Sequence, residues 1–321
     1  MRLSSTRRNK VLRGALSAGI AMLCLGLHGC FTGVESTPRI EAPKDAGKTD
    51  AAHPEATLLS DVTREATSAW KPGKAFIVTD RRFSRLITSP RAPQVSEGDT
   101  VRFVRFQPAL SVVGDSVTDA VFALPSGDVF PYRIDRPLSQ LLGASSYTLT
   151  LPFTIDASMV DKARQRLVGN TYYPTTRLWR DDADNIIGGK AFVPVTVIAV
   201  EPGDESLPLK IRFREVVSSG QGMEGILLVN PEPNAKTPRT FAKQFVVNNP
   251  RKQHSAISDK NWKLITEGNV ALGMTTEECL LALGSPKDIQ RFNTSSIIRQ
   301  QWVYDNGQLL VFEDGLLVSK R

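Results

Sequence analysis

The sequence predicts an α+β chain that is mainly β. Two small barrel-like β modules are followed by a small domain of helix plus antiparallel sheet. Three observations lead there. Short apolar runs alternate with polar residues at period two and are separated by Gly-, Pro- and Asp-containing turns. A stretch beginning at Gly73 recurs, offset by 96 residues, at Gly169. The last sixty or so residues carry a helix start signal, a helix stop signal and two hairpin turns in succession.

The chain of 321 residues has a formal charge of +7. A basic chain suggests a nucleic-acid partner, but the charge is not spread evenly. Residues 1–29 hold Arg2, Arg7, Arg8, Lys10 and Arg13 and no carboxylate, and without them 35 basic residues stand against 33 acidic ones. The body is close to neutral, and the reading is no nucleic-acid partner. The basic stretch precedes an apolar run, Ala15 to Leu27, of 13 residues. As a helix this run rises about 20 Å, short of the ~30 Å hydrocarbon core, so residues 1–29 read as a cleaved signal peptide.

The run ends in Leu27-His28-Gly29-Cys30, which resembles the lipobox of bacterial lipoproteins. The resemblance implies that Cys30 is acylated and becomes the mature N-terminus; an ordinary signal peptide with a chance cysteine is the alternative. Phe31, rather than Asp, follows the cysteine. By analogy with enterobacterial lipoprotein sorting, that implies an outer-membrane protein facing the periplasm. The chain has two other cysteines, Cys24 within the leader and Cys279. A mature protein with Cys30 lipidated therefore has no internal disulfide, and its stability rests on packed cores.

Residues 30–55 are rich in Pro, Ala, Lys, Asp and Thr and read as a flexible tether. The first β module is expected over 56–155 and the second over 156–248. Within the repeat, Gly, Thr and Arg recur at identical positions, and Phe76 and Phe83 of the first copy match Tyr172 and Trp179 of the second. Helical stretches, Asp61 to Trp70 and Ser158 to Val168, are expected before each copy. The pattern reads as a duplication, with chance similarity as the alternative. Leu207, Leu209, Ile211 and Phe213 alternate with Pro208, Lys210, Arg212 and Arg214, predicting a strand with one buried face. Pro125-Ser126-Gly127-Asp128 and Glu201-Pro202-Gly203-Asp204 predict turns.

A last domain is expected over 255–321. Thr275 and Glu278 are spaced as a capping box, and Met274 and Cys279 as the hydrophobic staple around it. Leu280 and Leu283 fall on one helix face, Gly284 is expected as a left-handed stop, and Pro286 prevents continuation. Asn306-Gly307 and Asp314-Gly315 then predict hairpins. Gly273-Met274-Thr275, Leu283-Gly284-Ser285-Pro286, Trp302-Val303-Tyr304, and Leu310-Val311-Phe312 with Gly315 resemble the BamE/SmpA-like family of envelope lipoproteins. That resemblance implies a helix pair on a β-sheet and a role by protein contact, one family member taking part in outer-membrane protein assembly. Here the two β modules stand between the lipid and this domain.

Chemistry-bearing residues are few. His53 lies in the tether and His254 in a connector, neither in a packed element, whereas nucleophilic catalysis needs a held imidazole beside its nucleophile. Cys279 reads as a core thiol. No Cys, His and carboxylate cluster has zinc spacing. Asp181-Asp182-Ala183-Asp184-Asn185 lacks the Gly and Glu of a calcium loop and reads as a solvated hairpin tip, and Arg81, Arg82 and Arg85 as a solvated basic edge. The expectation is no enzyme, no cofactor and no metal. Phe83, Tyr172, Trp179 and Trp302 are the candidate binding or anchor aromatics. The resulting reading is a membrane-anchored lipoprotein that acts by binding an envelope protein; the alternative is a peptide, glycan or small ligand held by the β modules. Replacing Cys30 with Ser is expected to abolish fatty-acid labelling and lipoprotein processing, as measured by metabolic labelling.

Overall fold

The computed structural model describes residues 54–87, 95–232, 235–293 and 297–321. Cys30, His53, the leader and nearly all of the tether lie outside the described residues. The described chain begins with a short helix, α1 (Pro54–Leu58), and a helical turn at Thr67–Ala69. The first sheet comprises β1 (Ala75–Val78), β2 (Thr100–Leu110), β3 (Ser116–Ala123), β4 (Val129–Ile134) and, after helix α2 (Leu138–Gly143), β5 (Thr154–Asp156). Its order is β4-β3-β2-β1-β5, with antiparallel neighbours throughout. Phe76, Phe83, Phe103, Phe122 and Phe130 pack there with Trp70, with ring centroids between 4.9 and 6.4 Å apart among the contacting pairs from Trp70 to Phe130.

Helix α3 (Ala157–Leu167) follows directly, capped by Asp156, and buries Met159, Val160, Ala163 and Leu167. The second sheet holds β6 (Thr171–Pro174), β7 (Val195–Pro202), β8 (Leu209–Glu215), β9 (Glu224–Val229) and, after helix α4 (Phe241–Gln244), β10 (Phe245–Val246). Its order is β10-β6-β7-β8-β9. Leu209, Ile211 and Phe213 are buried on one face of β8, as the alternation predicts. The two sheets share a connectivity: four strands in a meander, then a short helix and a fifth strand beside the first. In both, the glycine before the first strand donates to the second strand, Gly73 to Phe103 at 2.7 Å and Gly169 to Val197 at 2.9 Å. In both, the register between the second and third strands shifts just past that contact, at Phe103/Arg105 and Val197/Ala199. Each sheet is open, and neither closes into a barrel.

The last segment has helices α5 (Pro250–Gln253), α6 (Asp259–Glu267) and α7 (Thr276–Leu283), then the meander β11 (Asp288–Asn293), β12 (Ile298–Val303), β13 (Leu309–Glu313) and β14 (Leu316–Lys320). The chain is thus α+β with antiparallel sheets dominant. The capping box forms: Glu278 N–H donates to Thr275 Oγ1 at 3.2 Å and Thr275 N–H donates to Glu278 Oε2 at 2.8 Å. Met274 and Cys279 are both buried beside it. Asp314 and Gly315 both take positive φ, as the tight two-residue turn between β13 and β14 requires.

Several expectations are corrected. Asp61–Trp70 is not a helix beyond the single turn at Thr67–Ala69. Val62 is buried in the second core and Trp70 in the first, so the segment runs between cores. Thr67 is held by Tyr147 and Leu149 through N–H···O contacts of 2.8 and 2.6 Å. Tertiary packing overrides propensity here. Leu59 and Val62, expected in the first module, pack in the core of the second. Leu280 is exposed, and the buried face of α7 is Cys279 and Ala282. Gly284 has φ 80 and ψ −171, so it leaves the helix through an extended positive-φ conformation and not a left-handed turn.

The second core depends on a close fit. Trp179 is fully buried and edge-on to Phe213 at 5.0 Å, and its indole N–H donates to Thr176 O at 3.0 Å. Gly189 and Gly225 flank the indole, and a Cβ at Gly189 would stand 2.0 Å from the ring. Gly189→Ala is therefore expected to lower stability by about 1–3 kcal/mol, an overpacking cost, read as a reduced midpoint in urea unfolding.

Candidate interaction site

Three joints fix the face that the C-terminal segment presents. At the first, Asp156 ends β5, pairing with Phe76, and caps α3 by accepting from Ser158 N–H at 3.0 Å. Its other oxygen accepts from Lys74 Nζ at 2.6 Å, with Glu65 also bound to that ammonium at 2.9 Å. Lys74 lies 5.8 and 5.6 Å from the Trp70 and Phe76 ring centroids, a geometry that favours a desolvated cation. At the second, Glu55 accepts from Val247 N–H at 2.8 Å and Arg166 donates to Leu58 O at 2.7 Å, tying the start of the described chain to the second module.

The third joint holds the C-terminal helices. Arg177 donates to Ala282 O near the end of α7 at 2.6 Å. Its guanidinium lies against Gly268, the cap of α6, where a Cβ would be 1.6 Å from it. A cation at two helix C-termini meets the negative ends of both dipoles, and burial lowers its pKa from the usual arginine value. Phe192, at φ 59, packs 6.2 Å from Trp262, and Ala191 N–H donates to Thr266 O at 2.9 Å.

The C-terminal sheet has two unlike faces. Trp302, Leu310, Phe312 and Leu317 point inward onto Ile265, Met274, Cys279 and Ala282. The opposite face has an apolar centre in a polar surround that includes Gln301 and Ser319. Leu309 and Val311 form its floor, Phe292 and Ile297 one wall, and Arg299, paired with Glu313 at 3.5 Å, lies at its rim with Arg321. These residues enclose a shallow concavity of about 580 Å³. The register shifts between Val311 and Phe312, leaving Val318 of β14 without an opposite residue, the pattern of a bulge, which bends its own strand. Beside it runs β11, an edge strand whose residues from Asp288 to Phe292 are all exposed, with Phe292 at 51% and Ile289 at 42%. Among the described residues no strand pairs with its outer side. The other edge, β14, is covered in part by Gly273–Thr276, through bonds such as Leu317 N–H to Met274 O at 2.8 Å.

The candidate aromatics lie elsewhere. Phe83, Tyr172, Trp179 and Trp302 are each at most 5% exposed and belong to the three cores, so they are anchors of the fold and do not meet on one surface. Cys30 lies outside the described residues. His254 stacks on Trp262 at 6.2 Å and contacts Glu277 at 3.1 Å, at the joint between modules. Asp181–Asn185 is a hairpin tip, Asp181 N–H donating to Asn185 O at 3.0 Å. Arg82 pairs with Asp80, whose carboxyl it holds below the ordinary range. Among the described residues no three metal-capable side chains converge, and no helix is long and apolar enough to cross a membrane.

Sequence reasoning missed β11, Asp156 and Arg177. Ile289 and Phe292 are three apart and so face opposite sides of β11, which hides its period; Ile289 lies opposite Trp302 and Phe292 opposite Arg299. The Arg shared by the repeat copies could have drawn attention to Arg177, which matches Arg81 of the first copy.

No protein-family model matches the chain, and no curated protein matches it.

Burial raises the Cys279 thiol from 9.0 to about 12, the nearby Glu278 carboxylate adding to the shift. The native state thus holds this proton more tightly than the unfolded chain. The contribution is fully present below about pH 9 and is lost as pH rises toward about 12. Maleimide at pH 8 is expected to leave Cys279 unmodified in the folded protein and to label it on unfolding, read by mass spectrometry.

Proposed function

We propose that this protein is a lipoprotein, anchored through Cys30 on the periplasmic side of the outer membrane, that works by holding another envelope protein against its C-terminal sheet. The observation that carries this reading is the apolar outer face of that sheet beside the open edge of β11. An exposed edge strand next to apolar residues suits the addition of an extended segment. Main-chain bonds along β11 would supply affinity, and side chains entering between Phe292, Ile297 and Val311 would supply selectivity. The rim carries Arg299 and Arg321 against Glu313, a small positive excess, so the fitting partner is an apolar extended segment without strong positive charge.

The order helix pair, then antiparallel meander, supports a BamE/SmpA-like reading of this last domain. The shared strand order of the two sheets, and the matching contacts of Gly73 and Gly169, support a duplication of one partly open, barrel-like unit. The reading is contact without catalysis: Cys279 is buried, and the His254 ring is stacked on Trp262 and bonded to Glu277. The alternative of a ligand within the β modules has less support, because the aromatics that would line such a pocket are spent on the cores.

Phe292→Asp changes an exposed side chain and is expected to leave the melting temperature within a few degrees. It is expected to lower recovery of the partner cross-linked to the wild-type protein in intact cells by about tenfold or more, since a carboxylate forced into an apolar contact costs over 1.4 kcal/mol. Lys210→Glu, on the second module, is the control and is expected to leave recovery unchanged. Equal recovery with Phe292→Asp would reject the site.

A further inference from the structure

The hairpin joining β2 and β3 ends in an unusual tip. Leu110, Val112 and Val113 are 67%, 106% and 84% exposed, and they stand together in Leu110-Ser111-Val112-Val113-Gly114-Asp115. Loop tips are normally polar, since apolar side chains there gain nothing from the fold. Neither the cores nor the C-terminal face uses these three. The hairpin runs past its neighbour: β2 and β3 pair out to Leu110↔Ser116, whereas β4 stops at Ile134↔Thr118.

Several polar groups of the tip are already engaged. Ser111 N–H donates to Asp115 O at 2.8 Å, Gly114 N–H to Ser111 O at 3.0 Å, and Asp115 N–H to Ser111 Oγ at 3.0 Å. Arg133 donates to Leu110 O at 3.1 Å. Satisfied backbone groups lower the cost of taking a turn out of water. The exposed Asp115 carboxylate, one residue beyond Gly114, limits how deep the tip can go.

We infer that this apolar hairpin tip dips shallowly into the lipid surface to which the protein is tethered. The inference rests on lipidation at Cys30, which supplies the membrane. Twenty-three residues separate Cys30 from Pro54. A segment of that length reaches at most roughly 75–80 Å, several times the ~18 Å radius of gyration expected for a body of this size. The bilayer is therefore within reach of the body's surface at high effective concentration. A contact too weak to recruit the protein alone becomes the one that orients it.

The test uses the cysteine inventory. With Cys24 removed, Cys30 acylated and Cys279 buried, a cysteine at the tip is the single reactive thiol. The lipidated Val112→Cys protein, labelled with an environment-sensitive nitrobenzoxadiazole dye, is reconstituted in phosphatidylcholine vesicles with and without brominated lipid. The expected result is a several-fold rise in emission, quenched by lipid brominated near the headgroup and protected from aqueous iodide. The dye at Asp128→Cys, in the turn at the other end of β3, is expected to stay in water. Adding Val113→Asp to the labelled protein is expected to reduce the inserted fraction by about tenfold. Emission at position 112 that brominated lipid does not quench and iodide does would overturn the inference, as would equal behaviour at 112 and 128. A leaderless form starting at residue 31, which has neither Cys24 nor Cys30, labelled at 112 and mixed with excess vesicles, separates the two claims. Quenching there supports the tip whatever becomes of the lipid, and fatty-acid labelling judges the anchor alone.

Discussion

Asp156 belongs to two modules at once. Its backbone closes the first sheet against β1, its carboxylate caps the first helix of the second module, and the same carboxylate neutralises Lys74, which is boxed in by Trp70 and Phe76. No linker intervenes: β5 ends at Asp156 and α3 starts at Ala157. Removing this one side chain would leave a buried ammonium with only the half-exposed Glu65 and an α-helix without its cap, and unpaired buried charge is among the costlier defects a fold can carry. Arg177 does the corresponding work between the second module and the C-terminal helices, using helix C-termini as the acceptor. The orientation of the C-terminal face follows from these two joints.

The parts of the fold legible in the sequence were those set by local rules. The Thr275/Glu278 box, the Asn306-Gly307 and Asp314-Gly315 turns and the alternation through β8 depend on neighbours a few residues away, and they form as read. What could not be read was set by distant partners. Val62 and Trp70 enter different cores, which stretches a segment with helical composition. Leu280 has the spacing of a core residue, but Cys279 and Ala282 take the space beneath α7. The aromatics singled out as possible binders are large, and the three cores need large side chains to fill them. Position along the chain does not distinguish a core tryptophan from a docking one; the glycines at 189 and 225, which make room for Trp179, are the only local sign.

The candidate site was half legible. A C-terminal sheet with apolar residues was expected, and Leu309 and Val311 lie in strands that were read correctly. The edge strand that gives the site its form was invisible, because its two large apolar residues point to opposite faces. The hairpin tip at Leu110–Val113 was not singled out from the sequence. Only the structure, in which β2 and β3 outrun β4, turns those valines outward.

The proposed contact is assigned to the outer face of the C-terminal sheet. A photoreactive phenylalanine analogue placed at Ser319 on that face, and separately at Lys263, exposed on α6 at the sheet's other side, tests this assignment most directly in intact cells. The same partner should be captured from position 319 and from neighbouring positions on the face, with little or nothing from 263. Capture that is strongest from 263, or equal from both, would contradict it.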